Sequence, residues 1–277
     1  MARSILVGLD GSLNSAAAVD LGIRWAKHSN ALLVGLGVVD EPEILQPVCM
    51  PLAGTASQER RDRTLLADAR HKVENFLQDF SIRCADAGVS SKVLEDVGLP
   101  PDQIMLEAQR YDLILLGQQT YFAFETQSGA DDTLREVVQQ SPRPVVAVPE
   151  QPASGSSVLV AYDGSLQAAR ALQAFQSVGT CGLHPVHVVS VLPDRTEAAR
   201  CASRAVDFLG FHGVKTELHA IGSSQEPAQQ ILNLARQLNA GLVVMGACGQ
   251  SGWKEVFFGS VTRTMLHDSN IPLFLYH

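Results

Sequence analysis

An eight-residue motif occurs twice in this chain, and its recurrence fixes most of what the chain can fold into. Ile5-Leu6-Val7-Gly8-Leu9-Asp10-Gly11-Ser12 returns as Val158-Leu159-Val160-Ala161-Tyr162-Asp163-Gly164-Ser165. In both copies a short apolar run ends in Asp-Gly-Ser and gives way to an alanine-rich helical pattern, over 13–28 and 166–177. Second apolar strands follow at 31–39 and 185–192, each leading to a longer amphipathic helix. Third strands, at 91–97 and 215–221, precede short helices opened by Pro100-Pro101 and by Pro227. Fourth strands at 112–116 and 242–245 match closely, as do final strands led by Pro144 and Pro272. Strands alternating with helices predict a parallel sheet covered on both faces. A repeat this long predicts two homologous domains, not a solenoid. We place them at 1–150 and 156–277, joined by a segment around 149–157 whose Pro, Ser and Gly content suits a linker.

The copies differ in length. Asp10 to Gly117 covers 107 positions and Asp163 to Gly246 covers 83. Most of the excess falls in 42–57, where Pro42, Pro47 and Pro51 interrupt any periodicity, so a long loop is expected there. At 277 residues, with 46 % apolar and 18 % charged side chains, the chain has core material for two ordinary domains. A net charge of −8 argues against nucleic acid and against an anionic membrane surface as partners. No apolar run reaches membrane-spanning length, and the run before Asp10 is too short for a signal peptide. Five scattered cysteines without CxxC spacing point to a reducing cytoplasm.

The fourth strand of the second copy opens a glycine signature. Gly246 and Gly249 are followed, after nine residues, by Gly259-Ser260-Val261-Thr262, where a helix can begin. Strand, glycine-rich loop and helix N-terminus together form an anion-binding device: glycines admit a phosphate close to the backbone, and the first-turn N–H groups point at it. The spacing is neither that of a P-loop nor that of the dinucleotide G-x-G-x-x-G fingerprint. The signature motifs of the amide-ligase pyrophosphatases and the tRNA synthetases are also absent.

The G-x2-G-x9-G-S signature, the paired Asp-Gly-Ser starts and the proline-led final strands resemble the universal stress protein family, in its tandem form. The resemblance implies an α/β fold of two tandem open five-stranded parallel sheets, strand order 3-2-1-4-5, of the adenine-nucleotide alpha-hydrolase-like type. It implies a ligand at the carboxyl ends of strands 1 and 4, and pairing of the two repeats across their last strands. A homodimer of the whole chain stays open, and no protein partner is named by the sequence.

By this resemblance Asp163 accepts hydrogen bonds from ribose hydroxyls or helps hold a divalent ion such as magnesium on the phosphates. Its plain alternative is a cap or an Asx turn with Gly164 and Ser165. Ala161, Val191 and the strand-end Met245 border the adenine, with strand packing as the alternative. Gly246 and Gly249 admit ribose and phosphate; Gly259, Ser260, Val261 and Thr262 bind the phosphates, against a reading as a tight turn and helix cap. The family commonly places cations on either side of the second glycine, where this chain has Cys248 and Gln250. Lys254 and Arg263 are then the nearest positive charges, so ADP or AMP competes with ATP as the implied ligand.

The first copy keeps Asp10 and Gly117 but has Thr120 for the second glycine and Asp132, beside Asp131, for the third. Two carboxylates at a phosphate site repel it, and Tyr121, Phe122 and Phe124 suit protein contact or filling of the crevice. This site reads as degenerate. His184, His187 and His219 share no metal-motif spacing and read as surface or half-buried histidines, so no metal site is expected. The chain reads as a stress-response regulator that binds an adenine nucleotide in its second repeat. A slow ATPase and a nucleotide-independent scaffold are the alternatives, and no residue is assigned a catalytic role.

Overall fold

A computed structural model of the chain describes residues 1–45, 55–122, 131–179, 183–247 and 259–277. The first repeat runs β1 (Ser4–Leu9), α1 (Leu13–Ser29), β2 (Leu32–Val39), α2 (Glu41–Ile44), α3 (Thr55–Asp86), β3 (Ser91–Val97), α4 (Pro100–Ala108), β4 (Leu113–Gly117), α5 (Thr133–Gln140) and β5 (Val145–Val148). The second runs β6 (Ser157–Ala161), α6 (Leu166–Val178), β7 (Val186–Leu192), α7 (Arg195–Phe211), β8 (Thr216–Gly222), α8 (Pro227–Gln237), β9 (Ala240–Gly246), α9 (Ser260–Asp268) and β10 (Leu273–Tyr276).

Each repeat has the strand order 3-2-1-4-5, and every pairing inside a repeat is parallel. The two sheets are not separate. β5 and β10 pair antiparallel, with Phe274 opposite Val146, and fuse the repeats into one ten-stranded sheet. The cause is visible in their burial: all of β5 and the first three residues of β10 are apolar and buried, edges that would otherwise face water.

Two apolar layers cover the sheet, and both cross the join. Val146, Val148, Phe175 and Phe274 belong to one, and Val145, Ala147, Leu273 and Leu275 to the other. Phe175 meets Phe274 edge-on with ring centroids 6.0 Å apart, a geometry aromatic pairs favour. Each such fully buried large side chain stabilises the fold by ~1.5–3 kcal/mol. The outer strands β3 and β8, by contrast, are largely exposed or half-buried and carry Lys92, Glu95, Asp96 and Glu217.

Two expectations need correcting. The stretch 42–57 contains regular structure: Asp40 accepts a hydrogen bond from the Glu43 N–H and caps the short helix α2, with Pro42 in its first turn, and α3 has begun by Thr55. Residues 46–54 lie outside the described part. The joining segment is also not a free linker. The Ala153 N–H donates to the Asn270 carbonyl at 2.8 Å, and a side chain at Gly155 would lie 2.2 Å from the Ala240 backbone.

Candidate functional site

The Asp-Gly-Ser motif builds the same corner in both repeats. Gly11 and Gly164 hold φ at +77° and +81°, a region that glycine enters without strain. Oδ1 of Asp163 accepts from the Ser165 N–H at 2.9 Å, and Ser165 Oγ caps α6 by accepting from the Ala168 N–H at 3.1 Å. Asp10, Ser12 and Ser15 make the equivalent pair of bonds at 2.9 and 3.0 Å. One oxygen of Asp163 is therefore committed to the turn. Among the described residues no donor reaches the other.

Around Asp163 lies a cavity of about 240 Å³, at the carboxyl ends of β6 and β9 where the strand order reverses. It is small beside the ~300–1,000 Å³ of typical ligand pockets. Ala161, Val191 and Met245 form apolar wall; Asp163, Gly246, Gly259, Ser260, Val261 and Thr262 line the rest. Gly249 lies outside the described residues, as do Cys248, Gln250 and Lys254. Arg263 is exposed on α9 and does not line the cavity, and no lysine, arginine or histidine does so among the described residues.

Sequence reasoning missed several wall residues. Val189 follows from Val191 by strand alternation, and Pro227 and Ile231 stand one helical turn apart on α8. Tyr162, Ser165, Gln167 and Ala168 come from the corner and the first turn of α6, which no periodicity marks as wall.

The two site glycines differ in what the fold asks of them. A Cβ at Gly246 would lie 2.6 Å from the Ala168 nitrogen, so close packing of β9 against α6 excludes any side chain. Gly117 meets the same limit, 2.7 Å from Asn14 Cβ and from the Gln119 carbonyl oxygen. Gly259, in contrast, has φ −59° and ψ 157°, which any residue adopts, and a Cβ there would meet nothing within 4 Å among the described residues. It precedes α9, whose first turn has no side-chain cap.

In the first repeat the corresponding crevice is occupied by the chain itself. Phe122 is 1 % exposed, and its ring would lie 3.2 Å from a Cβ at Gly8, the counterpart of Ala161. Two carboxylates hold it there. Oδ2 of Asp10 accepts from the Tyr121 N–H at 2.7 Å; Oδ2 of Asp131 accepts from the Phe122 N–H at 2.9 Å while its Oδ1 takes the Thr133 N–H at 2.8 Å. Asp131 is thus an anchor for the plug and a cap for α5, not merely a repelling charge. Asp132 is ion-paired with Arg135 at 3.5 Å, and Phe124 is outside the described residues. Burial raises the Asp10 carboxyl above its ordinary range; hydrogen bonds from Ser12 and Tyr121 oppose this, and the Asp131 charge adds to it.

With this geometry established, comparison with known proteins is decisive. The model of the universal stress protein family matches residues 1–149 and again residues 156–277. The chain belongs to the universal stress protein family. It is 25 % identical to universal stress protein Slr1230 of Synechocystis sp., covering 97 % of this chain and 90 % of that protein. It is 23 % identical to universal stress protein Rv1996 of Mycobacterium tuberculosis, over 97 % and 93 %. A solved universal stress protein from Archaeoglobus fulgidus DSM 4304 has the same fold, with a TM-score of 0.72 at 21 % identity, covering 99 % of this chain and 98 % of that one.

This universal stress protein carries one more cluster, two residues along β7 from the wall residue Val189. His187, near the start of β7, lies beside Glu217 and His219 of β8. His187 Nδ1 is 3.1 Å from His219 Nε2 and 3.3 Å from a Glu217 carboxylate oxygen. Burial and the neighbouring His187 lower the His219 pKa, against the Glu217 charge that raises it. His184 does not join the cluster. No described helix is long and apolar enough to cross a membrane.

Proposed function

We propose that the cavity of the C-terminal repeat binds an adenine nucleotide, and that the chain acts as a nucleotide-responsive regulator of the stress response. The observation that carries this reading is the contrast between the crevices: Phe122 fills one, and the other is open and lined by the glycine signature. The open cavity has an apolar side for a base, formed by Ala161, Val189, Val191 and Ile231. At its other side the uncapped first turn of α9 offers N–H groups to phosphate. Gly259 fits the same reading, since neither packing nor dihedral angle demands a glycine there until a ligand takes the space.

No side-chain cation among the described residues lines this cavity, so the phosphates need positive charge from elsewhere. Magnesium supplies it, held on the phosphates with the unpartnered oxygen of Asp163; AMP and ADP need less and remain alternatives to ATP. Asp163 is also the only described carboxylate in the wall, which favours binding over turnover. Buried, unpaired Cys84 and Cys201 fit a reducing cytoplasm as its place of work.

Small molecules released from the purified protein by denaturation are identified by mass spectrometry, and magnesium–ATP, ADP and AMP are titrated by calorimetry. Gly259→Asp serves as the comparison, because a Cβ there meets nothing within 4 Å among the described residues and the change adds a negative charge to the cavity lining. Binding by the wild type and its loss in the variant support the proposal. Equal heats from both, or none from the wild type at millimolar nucleotide, reject it. Phosphate release abolished by Asp163→Asn would favour the ATPase instead.

A further inference from the structure

We infer that His187, Glu217 and His219 form a binding site for a divalent transition-metal ion of the zinc class, at the amino ends of β7 and β8. Parallel register places Glu217 opposite His187 and His219 opposite Val189. Because side chains alternate across a strand, all three groups project from one face of the sheet. One ligand atom from each lies within 4.8 Å of the others.

Both spacings from His187 are those of a coordination shell, and the third pair lies within 4.8 Å. A tetrahedral ion with bonds of ~2.0–2.1 Å to imidazole nitrogen and carboxylate oxygen sets its ligand atoms ~3.3–3.4 Å apart. His187 Nδ1 stands 3.1 Å from His219 Nε2 and 3.3 Å from Glu217 Oε2. Without an ion, one proton shared between His187 Nδ1 and His219 Nε2 joins the two rings, and the exposed Glu217 carboxylate turns to water. A metal ion takes a lone pair from all three at once.

Two imidazoles and a carboxylate select zinc, cobalt or nickel over magnesium and calcium, which prefer oxygen shells. Three protein ligands leave a fourth position to water. His187 is 4 % exposed and gives a fixed anchor, whereas Glu217 is exposed and His219 half-buried, so the ion has a route in from solvent. Val189, which lines the cavity, stands two residues along β7 from His187, ~7 Å of strand, so the two sites are neighbours that share no lining residue. The ion would tie the outermost strand β8 to its neighbour.

The test uses the full chain, freed of metal by dialysis against a chelator, and Zn²⁺ and Co²⁺ alone as probes. Zn²⁺ is titrated in competition with a chromophoric chelator, Co²⁺ is followed by its visible absorption, and melting is recorded with and without Zn²⁺. His219→Ala and Glu217→Ala alter side chains that are not buried, and circular dichroism confirms their fold; His71→Ala, at an exposed position of α3, controls for surface binding. We expect one Zn²⁺ per chain, the intense bands of tetrahedral Co²⁺, and a melting temperature raised by Zn²⁺. Either cluster variant should weaken Zn²⁺ at least ~10–100-fold, the loss that removal of a mere outer-shell partner causes. His71→Ala should leave binding unchanged. Equal affinity in the wild type and the cluster variants, or no binding at micromolar Zn²⁺, overturns the assignment.

Discussion

Gly246 and Gly259 occupy the same signature and answer to different forces. The first is excluded from carrying a side chain by the backbone of α6 at 2.6 Å; the second would meet nothing within 4 Å among the described residues. Gly246→Ala should therefore lower the unfolding free energy by ~1–3 kcal/mol through overpacking, and Gly259→Ala should fall within ~0.5 kcal/mol of wild type. Urea denaturation of the two variants side by side checks the contrast. Phe122 takes one of the two roles the sequence left open to it, filling of the crevice, and what the sequence does not show is how it is held there. An aromatic side chain in a polar stretch has no periodicity to mark it as core, and only the anchoring of its backbone by Asp10 and Asp131 makes it so. Phe122→Ala should cost ~3–5 kcal/mol, as removal of a fully buried ring does. Asp10 gives a pH signature. Its folded-state pKa is raised by burial, so ionising it opposes folding, and its contribution is lost as pH rises through that value. As pH falls through the raised pKa towards the ordinary value near 3.8, the wild type should gain stability relative to Asp10→Asn. Denaturation curves across that window, for both proteins, measure the difference.

Among the elements, those with a compositional edge were legible. β1, β6, β5 and β10 announce themselves as apolar runs bounded by Asp-Gly-Ser or opened by proline, and α4 and α8 by the prolines in their first turns. The short helix α2 was not legible, because three prolines in 42–57 outweighed the Asp40 cap and a proline placed where a helix tolerates it. Of the cluster on β7 and β8 the sequence singled out His187 and His219 and missed the approach of Glu217 to them. It depends on the register of β7 against β8, which neither strand encodes alone. The cavity corner follows from local chemistry; of the wall, Gly246, Gly259, Ser260, Val261 and Thr262 were read from the glycine spacing, whereas Ala161, Asp163, Val191 and Met245 came from the family resemblance. The helix starts supply the check at this scale. Ser12 and Ser165 cap α1 and α6 through the N–H groups of Ser15 and Ala168, so Ser12→Ala and Ser165→Ala should each cost ~1 kcal/mol in thermal or chemical unfolding.

At the scale of the molecule, the antiparallel pairing of β5 with β10 makes two similar repeats one object. Their apolar layers are continuous, and the joining segment is hydrogen-bonded at Ala153 and Ser156 and closely packed at Gly155. The chain should unfold in a single transition, and a nick within 151–156 should leave two fragments that co-elute on size exclusion. Val146→Lys places a charge in the middle of that pairing and should separate the nicked fragments. Joining two copies in one polypeptide also removes a constraint that binds identical subunits. In a symmetric pair every substitution appears twice, so a ring that closed one crevice would close both. Here one copy has closed its crevice with Phe122 while the other has kept its cavity open. Whatever enters the open cavity should do so with a stoichiometry of one per chain, since among the described residues Phe122 fills the equivalent crevice. Saturation of a single chain should follow a plain hyperbola, and any sigmoid would have to arise between chains.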